Sequence, residues 1–275
     1  MKLSIRQDMA PGNTLSDRLA NLEELGFDGI ELTPRNVTDW DGWVAEAKAA
    51  FAKSTVRPTI VEAGGGGCLL DPRREERDLA MEGLKRSLHC AAELGGIGVI
   101  CVPLIAIRMS QGKRPRIPDL SPSASTYELE RALFVELLGE LGDYATKVGS
   151  YLILEPLNRY ESFWLNRVEE GVELCKEVGS PGIMTMADFF HMHIEEADIP
   201  ESIRQAKGYL ANVHLADSNR QTPGNGFTNF RSGLAALKEI GYEHYMGLEC
   251  GIPGDPWVEL PKCVAYLREC DSYVT

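Results

Sequence analysis

The chain has 275 residues, of which 44% are hydrophobic, and its 41 acidic and 28 basic residues give a formal net charge of -13. This length suits one (β/α)₈ barrel, and the composition is that of an ordinary globular protein with a large core. So acidic a chain lacks the basic face that grips phosphodiester backbones, which excludes nucleic acid as the expected partner.

The apolar runs and the cysteines indicate an aqueous, reducing compartment. The longest apolar runs, such as 98–104, are as long as a strand and too short to cross a bilayer. The first residues, 1–7, lack the apolar core of a signal peptide. Seven cysteines form an odd set without a Cys-x-x-Cys pair. We therefore expect reduced thiols, a cytoplasmic location and no membrane partner.

Short apolar strands alternate with amphipathic helical segments along the chain. Strands are predicted near 2–7, 28–33, 57–63, 98–104, 150–156, 181–187, 211–216 and 244–249. Helices are predicted near 14–26, 38–54, 72–95, 125–148, 166–179, 199–209, 227–241 and 256–271. Eight such units without a break in composition predict a single α/β TIM barrel over residues 1–275. An open doubly wound sheet is the alternative, but no Gly-x-Gly-x-x-Gly follows the first strand.

Two connections on the same side of the predicted barrel have an unusual composition. The loop 105–125 follows the fourth strand and is long and rich in Pro, Arg and Ser. It is either a lid over the active-site face or an insertion without structure of its own. The run Gly64–Gly67 follows the third strand and either brings the backbone close to a ligand or forms a flexible turn. It is no P-loop, because no Lys-Ser/Thr follows.

An ionisable residue stands at the carboxyl end of each of the last four predicted strands: Glu155, Asp188, His214 and Glu249. Each alone is explained by a helix cap, an ion pair or a buried hydrogen bond, but four successive strand ends converge on one side of a barrel. Three carboxylates at one place repel each other unless a cation joins them. This oxygen- and nitrogen-containing set suits one divalent ion, Mn²⁺ first, with Mg²⁺ or Co²⁺ as alternatives, rather than a structural zinc.

Three segments carry a resemblance to a known family. Residues 155–161 (EPLNRYE), 188–196 (DFFHMHIEE) and 214–220 (HLADSNR) resemble the D-tagatose 3-epimerase family of xylose-isomerase-like sugar isomerase and epimerase barrels. The resemblance covers the C-terminal half, whereas the N-terminal half matches only in its barrel rhythm. It implies that Glu155, Asp188, His214 and Glu249 are metal ligands. It also implies that Glu161, His191 and Arg220 hold the hydroxyls and carbonyl at the reacting end of the sugar.

The sequence departs from the family pattern at two places. His193 stands where the family has asparagine, and no role is predicted for it. The segment 250–257 after Glu249 is much shorter than in epimerases of free ketoses, where it helps to shape the sugar-binding cleft. The departures concern the substrate more than the metal chemistry.

We predict a metal-dependent ketose 3-epimerase, or a closely related sugar or sugar-phosphate isomerase. Glu155 and Glu249 would transfer the proton on opposite faces of an enediolate. An aldose–ketose isomerase, a dehydratase or lyase, and a sugar-binding subunit that needs a partner chain are the alternatives. Endonuclease IV-like repair requires a basic groove and many histidines, against five here. The expected partner is a keto-sugar or its phosphate, and the expected assembly is a homodimer or homotetramer.

Overall fold

Eight parallel strands close into a barrel in the computed structural model, which describes residues 1–102 and 116–272. The strands are β1 (Lys2–Arg6), β2 (Gly29–Leu32), β3 (Arg57–Val61), β4 (Gly98–Cys101), β5 (Tyr151–Leu154), β6 (Ile183–Asp188), β7 (Leu210–Leu215) and β8 (Tyr245–Leu248). Each pairs with the next, and β8 returns to pair with β1. The predicted TIM barrel is confirmed.

The helices surround the strands at the positions that the amphipathic pattern predicts. Within the described ranges they are α1 (Leu15–Leu25), α2 (Trp40–Phe51), α3 (Arg74–Leu94), α4 (Thr126–Val148), α5 (Val168–Val178), α6 (Phe189–Glu195), α7 (Ile199–Gln205), α8 (Phe230–Glu239) and α9 (Pro256–Ser272). Helix α6, of seven residues, begins directly after β6 and was not predicted from the sequence. Its apolar and aromatic residues do not show the repeat that marks longer helices.

A small apolar cluster lies one layer below the C-terminal opening of the barrel, which we call the mouth. It consists of Ile60, Ile153, Met186 and Ala211 and is separate from the large core between strands and helices. These residues come from β3, β5, β6 and β7, strands that are not all neighbours, so they meet inside the barrel. Ile153 and Met186 each precede a mouth carboxylate by two residues, and the cluster therefore forms the floor of the mouth.

The predicted lid falls mostly outside the described residues, which resume at 116. The described end of this loop is fixed to α4. The guanidinium of Arg116, in the loop, donates hydrogen bonds to both carboxylate oxygens of the buried Glu130, in α4. The same guanidinium lies 3.8 Å from the centre of the Phe163 ring. The lid remains a prediction.

The cysteines and the helices bear on the predicted reduced thiols and on the predicted lack of a membrane span. No disulfide joins any of the seven cysteines, all of which lie within 1–102 and 116–272. A search of the described helices finds none that is both long enough and apolar enough to cross a bilayer.

The glycine run after β3 packs its backbone against the start of α3. Gly67 has a φ of 77°, and a Cβ atom there would lie 2.4 Å from the carbonyl oxygen of Glu76 and 2.6 Å from the backbone nitrogen of Ala80. Gly66 has a similar φ of 79°, but a Cβ there would meet only the Leu79 side chain, at 3.9 Å. Both positions favour glycine for their backbone conformation, and Gly67 also requires it for the close approach.

We expect Gly67→Ala to destabilise the protein more than Gly66→Ala. The left-handed conformation costs either alanine about 1–2 kcal/mol. Only Gly67→Ala must in addition displace backbone atoms of α3, which adds roughly 1–3 kcal/mol. Urea unfolding followed by circular dichroism measures both variants against the parent chain. Equal unfolding midpoints for the two variants would contradict the close approach.

Candidate metal centre and substrate cavity

Four side chains from consecutive strands meet in the mouth. Glu155 and Glu249 directly follow β5 and β8, Asp188 ends β6, and His214 lies in β7. Each offers one ligand atom, and these atoms lie within 4.8 Å of one another. Glu155, Asp188 and His214 are buried, and Glu249 is half-buried. The structure thus brings together the four predicted ligands.

The His214 imidazole is oriented by a carboxylate behind it. Its Nε2 lies 3.1 and 3.3 Å from the two carboxylate oxygens of Glu31, a buried residue of β2. When Nε2–H donates to Glu31, Nδ1 carries the lone pair. A histidine held by a carboxylate in this way is the usual arrangement of a metal ligand and its supporting residue.

The Nδ1 atom of His214 faces the three acidic members of the predicted ligand set. It lies 3.4 Å from Glu249 Oε2, 3.7 Å from Asp188 Oδ2 and 3.8 Å from Glu155 Oε1. Both His214 Nδ1 and Asp188 Oδ2 are buried and have no hydrogen-bond partner in the described part of the chain. Buried polar atoms without partners are costly, and a cation between them would satisfy both.

Asp188 serves two purposes with its two oxygens. Oδ1 accepts hydrogen bonds from the backbone nitrogens of Phe190 at 2.7 Å and His191 at 3.4 Å, and so caps α6. Oδ2 turns toward His214. Because α6 holds the carboxylate in place, the second oxygen is aimed before any ion arrives.

The electrostatic environments of the ionisable groups differ sharply. Burial and the neighbouring Glu249 carboxylate raise the pKa of Glu155 well above its usual value. Burial acts to raise the pKa of Glu249 as well, but His214 and the flanking arginines hold that pKa far below its usual range. Burial acts to lower the pKa of His214, yet Glu31 and Glu249 raise it well above normal. A site that draws a proton onto a buried imidazole has excess negative charge, and a divalent cation fits such a donor set.

The three predicted substrate-binding residues border the same space. Arg220 lies in the loop after β7 with a φ of 58°, and its guanidinium bonds Glu161 Oε1 and Glu249 Oε2, each at 3.1 Å. The guanidinium carbon also lies 4.7 Å from the centre of the Phe190 ring. Glu161 accepts a further bond from Asn158 Nδ2 at 3.1 Å. The carboxylate and the guanidinium therefore fix each other beside Glu249.

His191 lies on α6 and is buried. Its Nδ1 accepts from the Asn158 backbone nitrogen at 3.1 Å, which leaves the proton of the neutral ring on Nε2. Nε2 has no partner in residues 1–102 and 116–272, and it lies 3.7 Å from Asp188 Oδ2 and 4.0 Å from Glu155 Oε1. Burial lowers the pKa of His191, although Asp188 opposes this. A neutral N–H donor thus points into the mouth.

A cavity of about 360 Å³ opens beside Glu155, His214 and Glu249. Its size lies in the range of small-molecule sites. Its lining combines ionisable groups with an apolar wall and consists of Arg6, Glu62, Ala63, Ile100, Val102, Glu155, Leu157, Glu161, His214, Arg220 and Glu249. All three predicted substrate-binding residues thus lie in or beside the cavity, whereas His193 is exposed on α6.

Three further residues of the site, all in the N-terminal half, were not predicted from the sequence: Arg6, Glu31 and Glu62. They belong to β1 and β2 or directly follow β3, which the resemblance did not reach. One signal was available, because Glu31 interrupts the apolar strand Gly-Ile-Glu-Leu and an unpaired charge is rarely buried. The sequence offers no comparable sign for Arg6 and Glu62, which look like ordinary charges at strand ends.

We expect Glu31→Gln to weaken Mn²⁺ binding by about 10–100-fold, because the amide is a poorer acceptor for His214 Nε2–H and no longer orients the ring as firmly. Isothermal titration calorimetry after removal of metal with EDTA measures the effect. The control is Glu93→Gln, on an exposed carboxylate of α3, which should bind Mn²⁺ as the parent does. Circular dichroism in EDTA should be the same for all three proteins, since the core of the barrel does not depend on the ion. Unchanged affinity in Glu31→Gln would show that Glu31 does not support a metal ligand.

Comparisons with known proteins agree with the fold. Residues 19–270 match the family model described as xylose isomerase-like TIM barrel. The chain is 29% identical to the 3-dehydro-D-guloside 4-epimerase of Escherichia coli (strain K12) over 265 residues, which cover 96% of this chain and 97% of that one. It is 30% identical to the L-ribulose 3-epimerase of Mesorhizobium japonicum over 236 residues, covering 86% and 75% of the two chains.

A solved structure extends this likeness to three dimensions. The apo crystal structure of 3-keto-D-glucoside 4-epimerase from E. coli has a TM-score of 0.85 and 27% identity, and the match covers 98% of this chain and 100% of that one. The resemblance to sugar epimerases, first seen in the C-terminal half, is thereby confirmed over nearly the whole chain. The chain belongs to the xylose isomerase-like TIM barrel family, among its sugar epimerases.

Proposed function

We propose that this protein is a divalent-metal-dependent epimerase that inverts a carbon next to the ketone of a keto-sugar. One observation carries the proposal. Two carboxylates, Glu155 and Glu249, stand 3.8 and 3.4 Å from the same imidazole nitrogen of His214, directly below a cavity of suitable size. The relatives support it, since both are named as epimerases.

The proposed metal ligands are Glu155, Asp188, His214 and Glu249. The ion, Mn²⁺ in the first place and Mg²⁺ or Co²⁺ otherwise, would polarise the carbonyl and so acidify the neighbouring C–H. Asp188 and His214 only bind, because Asp188 Oδ1 is committed to capping α6 and His214 Nε2 to Glu31. Glu155 and Glu249 also move the proton.

Inversion requires a base on one face of the carbon and an acid on the other. Glu155 and Glu249 come from β5 and β8, which flank β6 and β7, so they approach a bound sugar from two sides. Their environments differ, since Arg6 and Arg220 each contact Glu249 while burial dominates around Glu155. Two carboxylates in unlike surroundings suit the exchange of acid and base roles.

The other mouth residues would hold the reacting end of the sugar. Arg220 offsets negative charge on a substrate oxygen, and His191 Nε2–H donates a hydrogen bond to it. Glu161, fixed by Asn158 and Arg220, orients a hydroxyl. These contacts would increase as charge develops on the oxygen, which is the condition for lowering the barrier.

Two classes of keto-sugar are candidate substrates. A free ketose, epimerised at C3, is the reaction expected from the sequence and corresponds to the relative named L-ribulose 3-epimerase. A keto-glycoside, epimerised at C4, corresponds to the relatives named as guloside and glucoside 4-epimerases, which match almost end to end.

A second cavity is an observation in favour of the keto-glycoside as substrate. This cavity, of about 320 Å³, adjoins the first because both are lined by Arg6, Arg220 and Glu249, and it extends to Asp8, Met9, Cys250 and Gly251. Its lining includes the first two residues of the segment 250–257, which the sequence predicts to be short. A substituent on the sugar ring would fit there.

The proposal also includes the remaining sequence expectations. Residues 1–275 would form one catalytic domain, because β8 closes the barrel on β1 and no strand can be removed without opening it. The enzyme would act in the cytoplasm, on a small molecule rather than nucleic acid, as a homodimer or homotetramer. Light scattering coupled to size-exclusion chromatography measures the assembly.

We expect the Mn²⁺-loaded protein to exchange solvent deuterium into the carbon next to the ketone of its substrate. The panel comprises D-psicose, D-fructose, L-ribulose, a methyl 3-keto-glucoside, matching aldoses and sugar phosphates, each read by NMR. Exchange with inversion supports an epimerase, and the position of the label separates C3 from C4. An aldose product would indicate an isomerase instead. If none of the sugars shows exchange, the protein would be a sugar-binding subunit, and this result would contradict the proposal.

We expect Glu155→Gln and Glu249→Gln each to reduce turnover about a hundredfold or more, the usual range for a positioned acid or base. Both variants keep an oxygen near the ion, so metal occupancy should fall less than activity. One variant should still exchange the proton without inverting the centre, because the remaining carboxylate can remove and return the proton on its own face of the sugar. Metal content is measured alongside by atomic absorption. If both variants retain the metal and near-normal turnover, other residues transfer the proton.

A further inference from the structure

Arg6 stands at the centre of three carboxylates at the edge of the main cavity. It ends β1, and its Nη2 lies 2.6 Å from Glu62 Oε1 while its Nε lies 3.4 Å from Asp8 Oδ1. Its Nη1 donates to Glu249 Oε1. Three separate parts of the chain therefore meet at one guanidinium, which is only 20% exposed.

The Arg6–Glu62 pair faces a second arginine–glutamate pair across the cavity. In a closed ring of eight strands β1 lies opposite β5, and β3 lies opposite β7. Arg6 and Glu62 come from β1 and the end of β3, whereas Glu161 and Arg220 follow β5 and β7. Arg6 bonds one oxygen of Glu249 and Arg220 bonds the other. A sugar whose reacting end lies against Arg220 and Glu161 would therefore extend toward Arg6 and Glu62.

One carboxylate oxygen of Glu62 is without a partner among residues 1–102 and 116–272. Its Oε1 pairs with Arg6, but Oε2 makes no hydrogen bond to any residue that the structure describes, and the side chain lines the cavity. The carboxyl is 29% exposed, and burial raises its pKa to about 7 although Arg6 opposes this. A half-buried carboxylate with an open oxygen is stabilised by hydroxyl donors from a ligand.

The charges around Arg6 indicate which chemical group belongs there. Its guanidinium contacts Glu62, Asp8 and Glu249, and two further described arginines are committed to the same group, Arg35 to Asp8 and Arg220 to Glu249. A phosphate dianion at this end would lie close to three carboxylates. Every cation near Arg6 among the described residues is already paired with a carboxylate. Uncharged hydroxyls can instead donate to Glu62 and accept from the guanidinium.

We propose that the Arg6–Glu62 pair binds neighbouring hydroxyls at the end of the keto-sugar that is distant from the reacting carbon. The pair thereby selects substrates that are long enough to reach it and uncharged at that end. This inference rests on the proposed function, because it takes the reacting end to lie at Glu161 and Arg220. A purely structural ion pair would affect long and short ketoses alike.

The test measures binding to the Mn²⁺-loaded protein by isothermal titration calorimetry. D-Psicose carries hydroxyls at the distant end, erythrulose has the same ketone and adjacent hydroxyl on only four carbons, and D-psicose 6-phosphate carries a charge. The parent should bind D-psicose at least tenfold more tightly than either of the others. Glu62→Ala should weaken D-psicose binding about 10–100-fold, the range for a hydrogen bond to a charged group, and Glu62→Gln by less. Neither variant should alter erythrulose binding more than about twofold.

Two controls make the outcome specific. Glu93→Gln, on the surface of α3, should bind all three sugars as the parent does, and circular dichroism verifies that the Glu62 variants are folded. Equal losses for D-psicose and erythrulose, or a parent that prefers the phosphate or binds no sugar, would overturn the inference. The outcome is different if the parent binds the three sugars with the expected order of affinity and yet shows no deuterium exchange with any sugar. In that case the role of the Arg6–Glu62 pair in binding is supported and the proposed reaction is wrong.

Discussion

Three carboxylates around one imidazole nitrogen are the constraint on which the mouth of this barrel depends. Two like charges roughly 4 Å apart repel by about 4 kcal/mol at an effective dielectric constant near 20. Glu155, Asp188 and Glu249 each place an oxygen within 3.8 Å of His214 Nδ1. That repulsion is comparable with the whole stability of a typical domain, roughly 5–15 kcal/mol, so compensating charge must be built in.

The compensation is distributed around the cluster. Glu31 fixes His214 from behind, α6 holds one oxygen of Asp188, and two arginines hold the two oxygens of Glu249. Three of the four predicted ligands are therefore oriented by contacts with neighbouring groups, and His214 Nδ1 and Asp188 Oδ2 are the atoms left facing the centre of the cluster. Preorganisation of this kind lets an ion bind without first rearranging the side chains.

The same contacts connect the candidate metal centre with the residues proposed to bind substrate. Glu249 belongs to the ligand cluster, yet Arg6 and Arg220 link it to Glu62 and Glu161 on opposite sides of the cavity. A sugar that contacts either pair also changes the surroundings of a proposed proton-transfer group. Residues of the N-terminal strands thus border the same cavity as those of the C-terminal strands, as is common where one barrel face supports many reactions.

The sequence alone determined the barrel and the meeting of four predicted ligands in its mouth, for a local reason. Alternating strands and helices specify the topology, and a residue at the carboxyl end of a barrel strand must lie in the mouth whatever the side chains around it do. Glu155, Asp188, His214 and Glu249 could therefore be identified from their place after an apolar strand. The resemblance added Glu161, His191 and Arg220 on the same stretch of chain.

Only the tertiary structure decided what those residues contact. The pairing of Glu31 with His214 spans 183 positions along the chain, and that of Arg6 with Glu249 spans 243, so no local pattern reveals them. A buried carboxylate in β2 or an arginine ending β1 acquires its role only when the ring closes β8 against β1. Helix α6 likewise depends on the Asp188 cap and on packing, because seven residues carry too little helical propensity of their own.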